Sequence, residues 1–317
     1  MCAYLFGIPE NVKRVRYGVL HIFVYAVAVL SAVRHIYHRG SNNMNDLPPK
    51  CLIVKGVMND IYNWLIKQPS VGEESITDWL LYQMSIKLPD LYYRKFNKLE
   101  EAKKYGADWE WWVITSSKAI GLRIQAKKVL PGKDNYKSIA HTNSIGLQIE
   151  MLTNKSREDN MLALYSFYCA YPGEPPVKCK KAYGANEGAF IAGAQTIYDK
   201  YITCGRNIIE LDHLIMEANP LSCLFCCPLI YEAGGNDFEK LYSYFKEYHV
   251  DIHDKNSGVN SKDGNKDSIG VHEKAPDYVL SLLESFLNNK VSDWWEDEHK
   301  HVTDKVNSIV IQDLRKI

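Results

Sequence analysis

The sequence has no excess charge of either sign. Lys plus Arg number 38 and Asp plus Glu number 38 over 317 residues. A basic footprint over the whole molecule is therefore excluded, and any nucleic-acid surface must be local. Cysteine is also sparse. Cys2, Cys51, Cys169, Cys179, Cys204, Cys223, Cys226 and Cys227 are too few for a disulfide scaffold in a chain this long. They support a reducing compartment and a cytoplasmic protein. Cys223, Cys226 and Cys227 contain one C-x-x-C without a partner pair, so buried structural thiols are expected there rather than zinc ligands. His249, His253 and His272 border a polar loop without ligand spacing, and His299 and His301 lie in a charged tail. There is no internal repeat.

What the sequence does have is apolar and aromatic surface to bury. Hydrophobic residues make up 46% and aromatics 12%, with 21 tyrosines, which places the chain among globular proteins. Its length suits one large domain or two ordinary ones. The apolar run from Tyr17 to Val33, "YGVLHIFVYAVAVLSAV", lies between Arg16 and Arg34. It is at the lower edge of what a membrane-spanning helix needs. His21 interrupts it and "LSA" has the character of a small-residue cleavage site. Three readings stay open for residues 1–43: a membrane anchor or signal with the remaining chain on the cytoplasmic side, a docking helix, or an over-long start with the folded protein beginning at Met44.

The Gly, Ser, Asn and Pro content of residues 40–50 marks a boundary. Residues 44–180 form the expected core. "CLIVKGVMNDIYNWLIKQ" and "ESITDWLLYQMSIKLPD" have helical spacing of apolar residues, with Pro89 ending the second. "LYYRKFN", "DWEWWVIT" and "GLRIQAKKV" are predicted strands, the last two joined as a hairpin by "SSKAI". Residues 138–159 are a predicted helix and 161–172 a predicted strand. The order is helix, strand, strand, strand, helix, strand. A helical extension with a cysteine-rich turn is expected over 181–250, including a small-residue helix over 187–202. A disordered polar loop over 251–274 and a C-terminal helix with a charged tail over 275–317 complete the chain. The fold class is α/β, with a mixed central sheet and a mainly helical C-terminal extension.

Side chains two apart in a strand share a face. Asp108 and Glu110 therefore point together, as do Arg123, Gln125 and Lys127 on the next strand. If the hairpin pairs, acids, amide and ammonium converge. Carboxylate and amide oxygens are hard ligands of the kind Mg²⁺ takes, and a neighbouring lysine can orient a metal-bound water. The plainer reading is a solvated sheet face with cross-strand ion pairs. The tryptophans at 109, 111 and 112 are expected in the core.

These strings resemble the PD-(D/E)XK restriction-endonuclease-like superfamily in its Gln-x-Lys form: Asp108, then Gln125-Ala126-Lys127, after a helix bearing Glu73, Glu74 and Asp78. The αβββαβ order is similar to that superfamily's core. "ESITDWLL", "GADWEWW", "GLRIQAKK" and "LYSFY" look more closely like an uncharacterised bacterial family of unknown function, over roughly residues 70 to 230. The superfamily resemblance implies that Asp108 binds Mg²⁺ or Mn²⁺ directly and that Gln125 adds its amide oxygen. It further implies that Lys127 positions the water and that Glu74, by preference among the helix acids, reaches the metal through water. Glu110 would supply the charge lost by having Gln at 125. Gln148 on the following helix is a further candidate. The implied function is metal-dependent cleavage of nucleic acid, DNA first, in bacterial defence, with a homodimer as a further expectation. The alternatives are a catalytically degenerate nucleic-acid-binding or assembly module, and a carbohydrate hydrolase using Asp108 and Glu110 as paired carboxylates.

Overall fold

The computed structural model describes residues 49–96, 105–132, 137–142, 146–179, 186–204, 209–231, 235–249, 270–289 and 294–315. These fall within the compact unit Pro48–Ile317. The run from Tyr17 to Val33 and most of the polar 251–274 loop lie outside the described residues. Among the described residues no helix is long and apolar enough to cross a membrane.

Helix α1, Pro49–Lys67, buries Cys51, Val54, Val57, Met58, Ile61 and Leu65 along one stripe. Helix α2, Glu73–Lys87, starts after the Pro69–Gly72 break and buries Ile76, Leu80, Leu81 and Met84. Leu88, which follows it, is already extended, as the residue before Pro89 must be. The strands β1 (Leu91–Lys95), β2 (Trp109–Ile114) and β3 (Ala119–Lys128) come next, then helix α3 (Gln148–Glu158) and β4 (Leu162–Tyr168). The αβββαβ order is thus present along the chain.

The fold is mixed α/β, built on an eight-stranded sheet ordered β1-β8-β2-β3-β4-β5-β6, with β7 paired to β3. Strands β2 and β3 are an antiparallel hairpin, closed by Thr115 through its N–H and its hydroxyl, both bonded to the Lys118 carbonyl. The β3–β4 pair is parallel, as its crossover through α3 requires. The last strands, β5 (Ala189–Gly193), β6 (Ala218–Pro220), β7 (Val271–His272) and β8 (Ser308–Asp313), all come from the C-terminal half. That half is also helical, with α8 (Asp237–Tyr248) and α9 (Asp277–Leu287) among its longer elements after the short helices α4 (Ala194–Ile197), α5 (Leu211–Met216), α6 (Cys223–Cys226) and α7 (Pro228–Tyr231).

Alternation along β4 separates the two layers. Tyr168 is hydrogen-bonded to Thr77 of α2, at 2.8 Å, while Tyr165 and Phe167 belong to the core formed with Ile149 and Leu152 of α3. Helices α1 and α2 cover one face and α3 the other. The tryptophans divide in the same way. All three are buried, as expected, but only Trp112 belongs to the α3-side core.

Four expectations are corrected. The small-residue segment 187–202 is not one helix; its first part is β5, inserted between β4 and β6. A Cβ at the preceding Gly188 would lie 2.5 Å from the Tyr62 nitrogen of α1, so small residues here answer to a close backbone approach. The helix expected over 138–159 begins only at Gln148, because Leu147 is extended and bridges Thr142. The charged tail hides β8, "SIVIQD", which is buried throughout and runs between β1 and β2. The cysteines also differ from the all-thiol expectation at one pair: Cys51 and Cys226 form a disulfide joining α1 to the short helix α6, Cys223–Cys226. Cys169, Cys179, Cys223 and Cys227 are buried and outside the disulfide, as expected of structural cysteines.

Candidate functional site

Strand β3 outruns its partner. The antiparallel register ends at Trp109 opposite Ile124, and β3 continues to Lys128. Beyond that point the β3 edge that faced β2 needs other acceptors for its N–H groups. Two carboxylates supply them. Asp108 Oδ2 accepts the Ala126 N–H at 2.7 Å, and Glu73 Oε1 accepts the Lys128 N–H at 2.8 Å. The N–H groups of residues two apart point the same way and are roughly 7 Å apart along a strand. Asp108 and Glu73 therefore line one stretch of sheet edge. Asp108 sits at the rim between the layers. After burial itself, its charge is the next cause raising the phenol pKa of Tyr165, and it also helps raise that of Tyr168 on the other face.

From the α3 face, a chain of side chains leads into this edge. Lys127 Nζ donates to Gln148 Oε1 at 2.8 Å. Gln148 Nε2 donates to Gln125 Oε1 at 2.9 Å, and Gln125 Nε2 donates to Asp108 Oδ2 at 2.5 Å. Gln125 and Lys127 are buried, and Gln148 and Asp108 half-buried. Gln148 reaches the strand because α3 starts there and because Gly106 lets the chain before β2 pass close. A Cβ at Gly106 (φ +65°) would lie 2.5 Å from the Gln148 carbonyl oxygen. The alternation argument thus brings Asp108, Gln125 and Lys127 together, and Gln148 joins them.

The other two expected residues are elsewhere. Glu74 is half-exposed and pairs with Lys95 of β1 at 3.3 Å, beside Asp78, which also meets Lys95. Glu73 takes the place intended for it. The helical stripe tells the two apart: Glu73 is one turn from Ile76 and Thr77, which face the sheet, whereas Glu74 aligns with Asp78.

Glu110 faces the α3 layer one cross-strand pair further along and is fully buried. Its register partner Arg123 donates to it from Nη2 at 2.7 Å, with Tyr278 of α9 at 2.6 Å and the Trp112 indole at 3.1 Å. Arg123 also donates to Asp159 at 2.7 Å and to the Lys155 carbonyl at 2.9 Å. Burial alone would lower the Arg123 pKa, but the two carboxylates hold it above its ordinary value. Burial, and then the Glu110 charge, pushes the Tyr278 phenol well up. This is the cross-strand ion pair of the plainer reading, enclosed by neighbours on three elements. A second acid for carbohydrate hydrolysis is thereby lost, because both Glu110 oxygens are occupied.

Among the described residues no group of three or more His, Cys, Asp or Glu is placed to hold a metal ion. The donor chemistry at the β3 edge nevertheless fits a hard cation. Mg²⁺ keeps several waters and is commonly held by one or two carboxylates together with substrate phosphates. Asp108, Glu73 and the amide oxygen of Gln125 are donors of that kind, although Gln125 here turns its nitrogen, not its oxygen, toward Asp108.

No curated protein and no solved structure matches the chain. A family described as "Family of unknown function (DUF6615)" matches residues 51–312, from α1 to β8. That span takes in every element that builds the β3 edge, and on it the chain belongs to this family of unknown function.

Proposed function

We propose that this protein is a divalent-metal-dependent nuclease of the PD-(D/E)XK type that hydrolyses phosphodiester bonds, with DNA as the substrate to test first. The observation that carries the reading is the convergence of Asp108, Gln125 and Lys127 on one unpaired stretch of strand edge, within an αβββαβ order. Asp108 and Gln125 are the ligands for Mg²⁺ or Mn²⁺, and Glu73 replaces Glu74 as the helix acid acting through water. A bound cation would neutralise charge on the phosphate oxygens and acidify its own water. Lys127 holds the attacking water, or a phosphate oxygen, through its ammonium protons. The rigid β3 backbone fixes the spacing of these groups. A place in bacterial defence rests on the superfamily resemblance alone.

One observation favours a second reading. With Gln at 125, the edge offers one fewer negative ligand than an acid would, which suits a nucleic-acid-binding module that has lost cleavage. Incubation of supercoiled plasmid with the protein and Mg²⁺ or Mn²⁺ decides between them. Nicking that EDTA abolishes supports the nuclease. Retarded but uncut plasmid in every divalent metal supports the binding module.

A further inference from the structure

Gln148 stands in the middle of the side-chain chain, and both ends of that chain are ions. The Lys127 ammonium only donates, so Gln148 must turn its oxygen to it. The Asp108 carboxylate only accepts, so Gln125 must turn its nitrogen to it. Between them, Gln148 Nε2 meets Gln125 Oε1. Each end therefore fixes both amides in one sense, and in that sense the oxygen of Gln125 is used by Gln148.

The alternative sense has a chemical consequence. To offer its oxygen beside Asp108, Gln125 must turn its amide over. Its nitrogen then faces Gln148, whose amide must turn over in response. The Gln148 nitrogen then faces Lys127, and two donors cannot share one hydrogen bond.

We propose that Gln148 is a positioning residue that couples oxygen ligation at Asp108 and Gln125 to release of the Lys127 ammonium. The proposal rests on the metal-dependent reading above and deepens it. In the observed sense Lys127 is tethered to α3. In the turned sense its ammonium is free to swing toward the phosphate. The lysine thus stays withdrawn until the ligands are engaged.

The test uses the full chain and Mn²⁺. Lys127 is labelled with trace acetic anhydride, its modification rate is read by peptide mass spectrometry, and Mn²⁺ binding is followed by calorimetry on the same samples. In the wild type, saturation with Mn²⁺ raises the Lys127 labelling rate about tenfold, the scale of losing a hydrogen bond to a charged group. Gln148→Met has no acceptor to offer, and its Lys127 labels fast with or without Mn²⁺. Gln148→Glu can only accept, and its Lys127 labels slowly in both conditions. A Mn²⁺ response of equal size in all three proteins overturns the coupling, as does a wild-type response of zero. Calorimetry assigns the failure. Mn²⁺ binding with unchanged Lys127 reactivity removes the coupling and leaves the nuclease reading standing. No binding at millimolar Mn²⁺ removes both.

Discussion

Two polar clusters share the α3-facing side of the β2–β3 hairpin. In one, Glu110 and Arg123 sit opposite each other and nearly every polar atom has a protein partner at short range. In the other, starting a residue pair away, Asp108, Gln125, Gln148 and Lys127 form an open chain that ends at the rim of the sheet. The sequence treats them alike, as polar residues alternating along strands. The length of β2 makes the difference. Where β2 runs beside β3, α3 and α9 close over the face and a charge there must be paired, since an uncompensated buried charge is costly. Where β2 has stopped, the edge is capped by the Asp108 and Glu73 carboxylates in place of a strand. The first cluster is suited to holding three elements in register, and the second to chemistry.

Mutation should separate the two clusters. The largest effect is expected at the open one: Asp108→Ala or Lys127→Ala lowers metal-dependent plasmid nicking by about a hundredfold or more, while thermal denaturation shifts by only a few degrees. The reverse holds at the closed one. Glu110→Ala leaves the buried Arg123 with the partly exposed Asp159 as its counter-charge and costs about 3–5 kcal/mol in denaturant unfolding. Equal stability losses at Asp108 and Glu110 would erase the distinction. Smaller in turn is the disulfide, which joins α1 to α6 across a sequence separation of 175 residues. Cys51→Ser costs about 2–4 kcal/mol without changing the metal dependence of nicking. The smallest effect sharpens the open cluster alone. Gln125→Glu adds a negative ligand beside Asp108 and tightens Mn²⁺ binding by calorimetry, by about tenfold, because cation affinity follows ligand charge.

The comparison also shows which features could be read from the sequence. The hairpin and its convergent residues followed from strand alternation, which depends only on backbone geometry. The choice of helix acid was equally local but was made wrongly: Glu74 was preferred, although Glu73 and not Glu74 shares the sheet-facing stripe with Ile76 and Leu80. Gln148 was less visible, because its role depends on where α3 begins, and an extended Leu147 sets that start. Four strands were missed: β6 and β7 are only three and two residues long, with β7 at the end of the segment expected as a disordered loop, and the other two were hidden for non-local reasons. Strand β5 looks helical because its small residues answer to α1 packed against Gly188, and β8 is six buried residues inside a charged tail. Its partners β1 and β2 lie more than 190 residues earlier in the chain, and no local pattern announces such pairings.

The central claim is that the unpaired β3 edge performs metal-dependent phosphodiester cleavage with Lys127 in the reacting assembly. A Mn²⁺ titration of plasmid nicking, wild type beside Lys127→Ala, tests it most directly. The account predicts saturable, EDTA-sensitive cleavage by the wild type and none above background by a folded Lys127→Ala protein. Equal cleavage by the two proteins, or no cleavage by the wild type at any Mn²⁺ concentration, would contradict it.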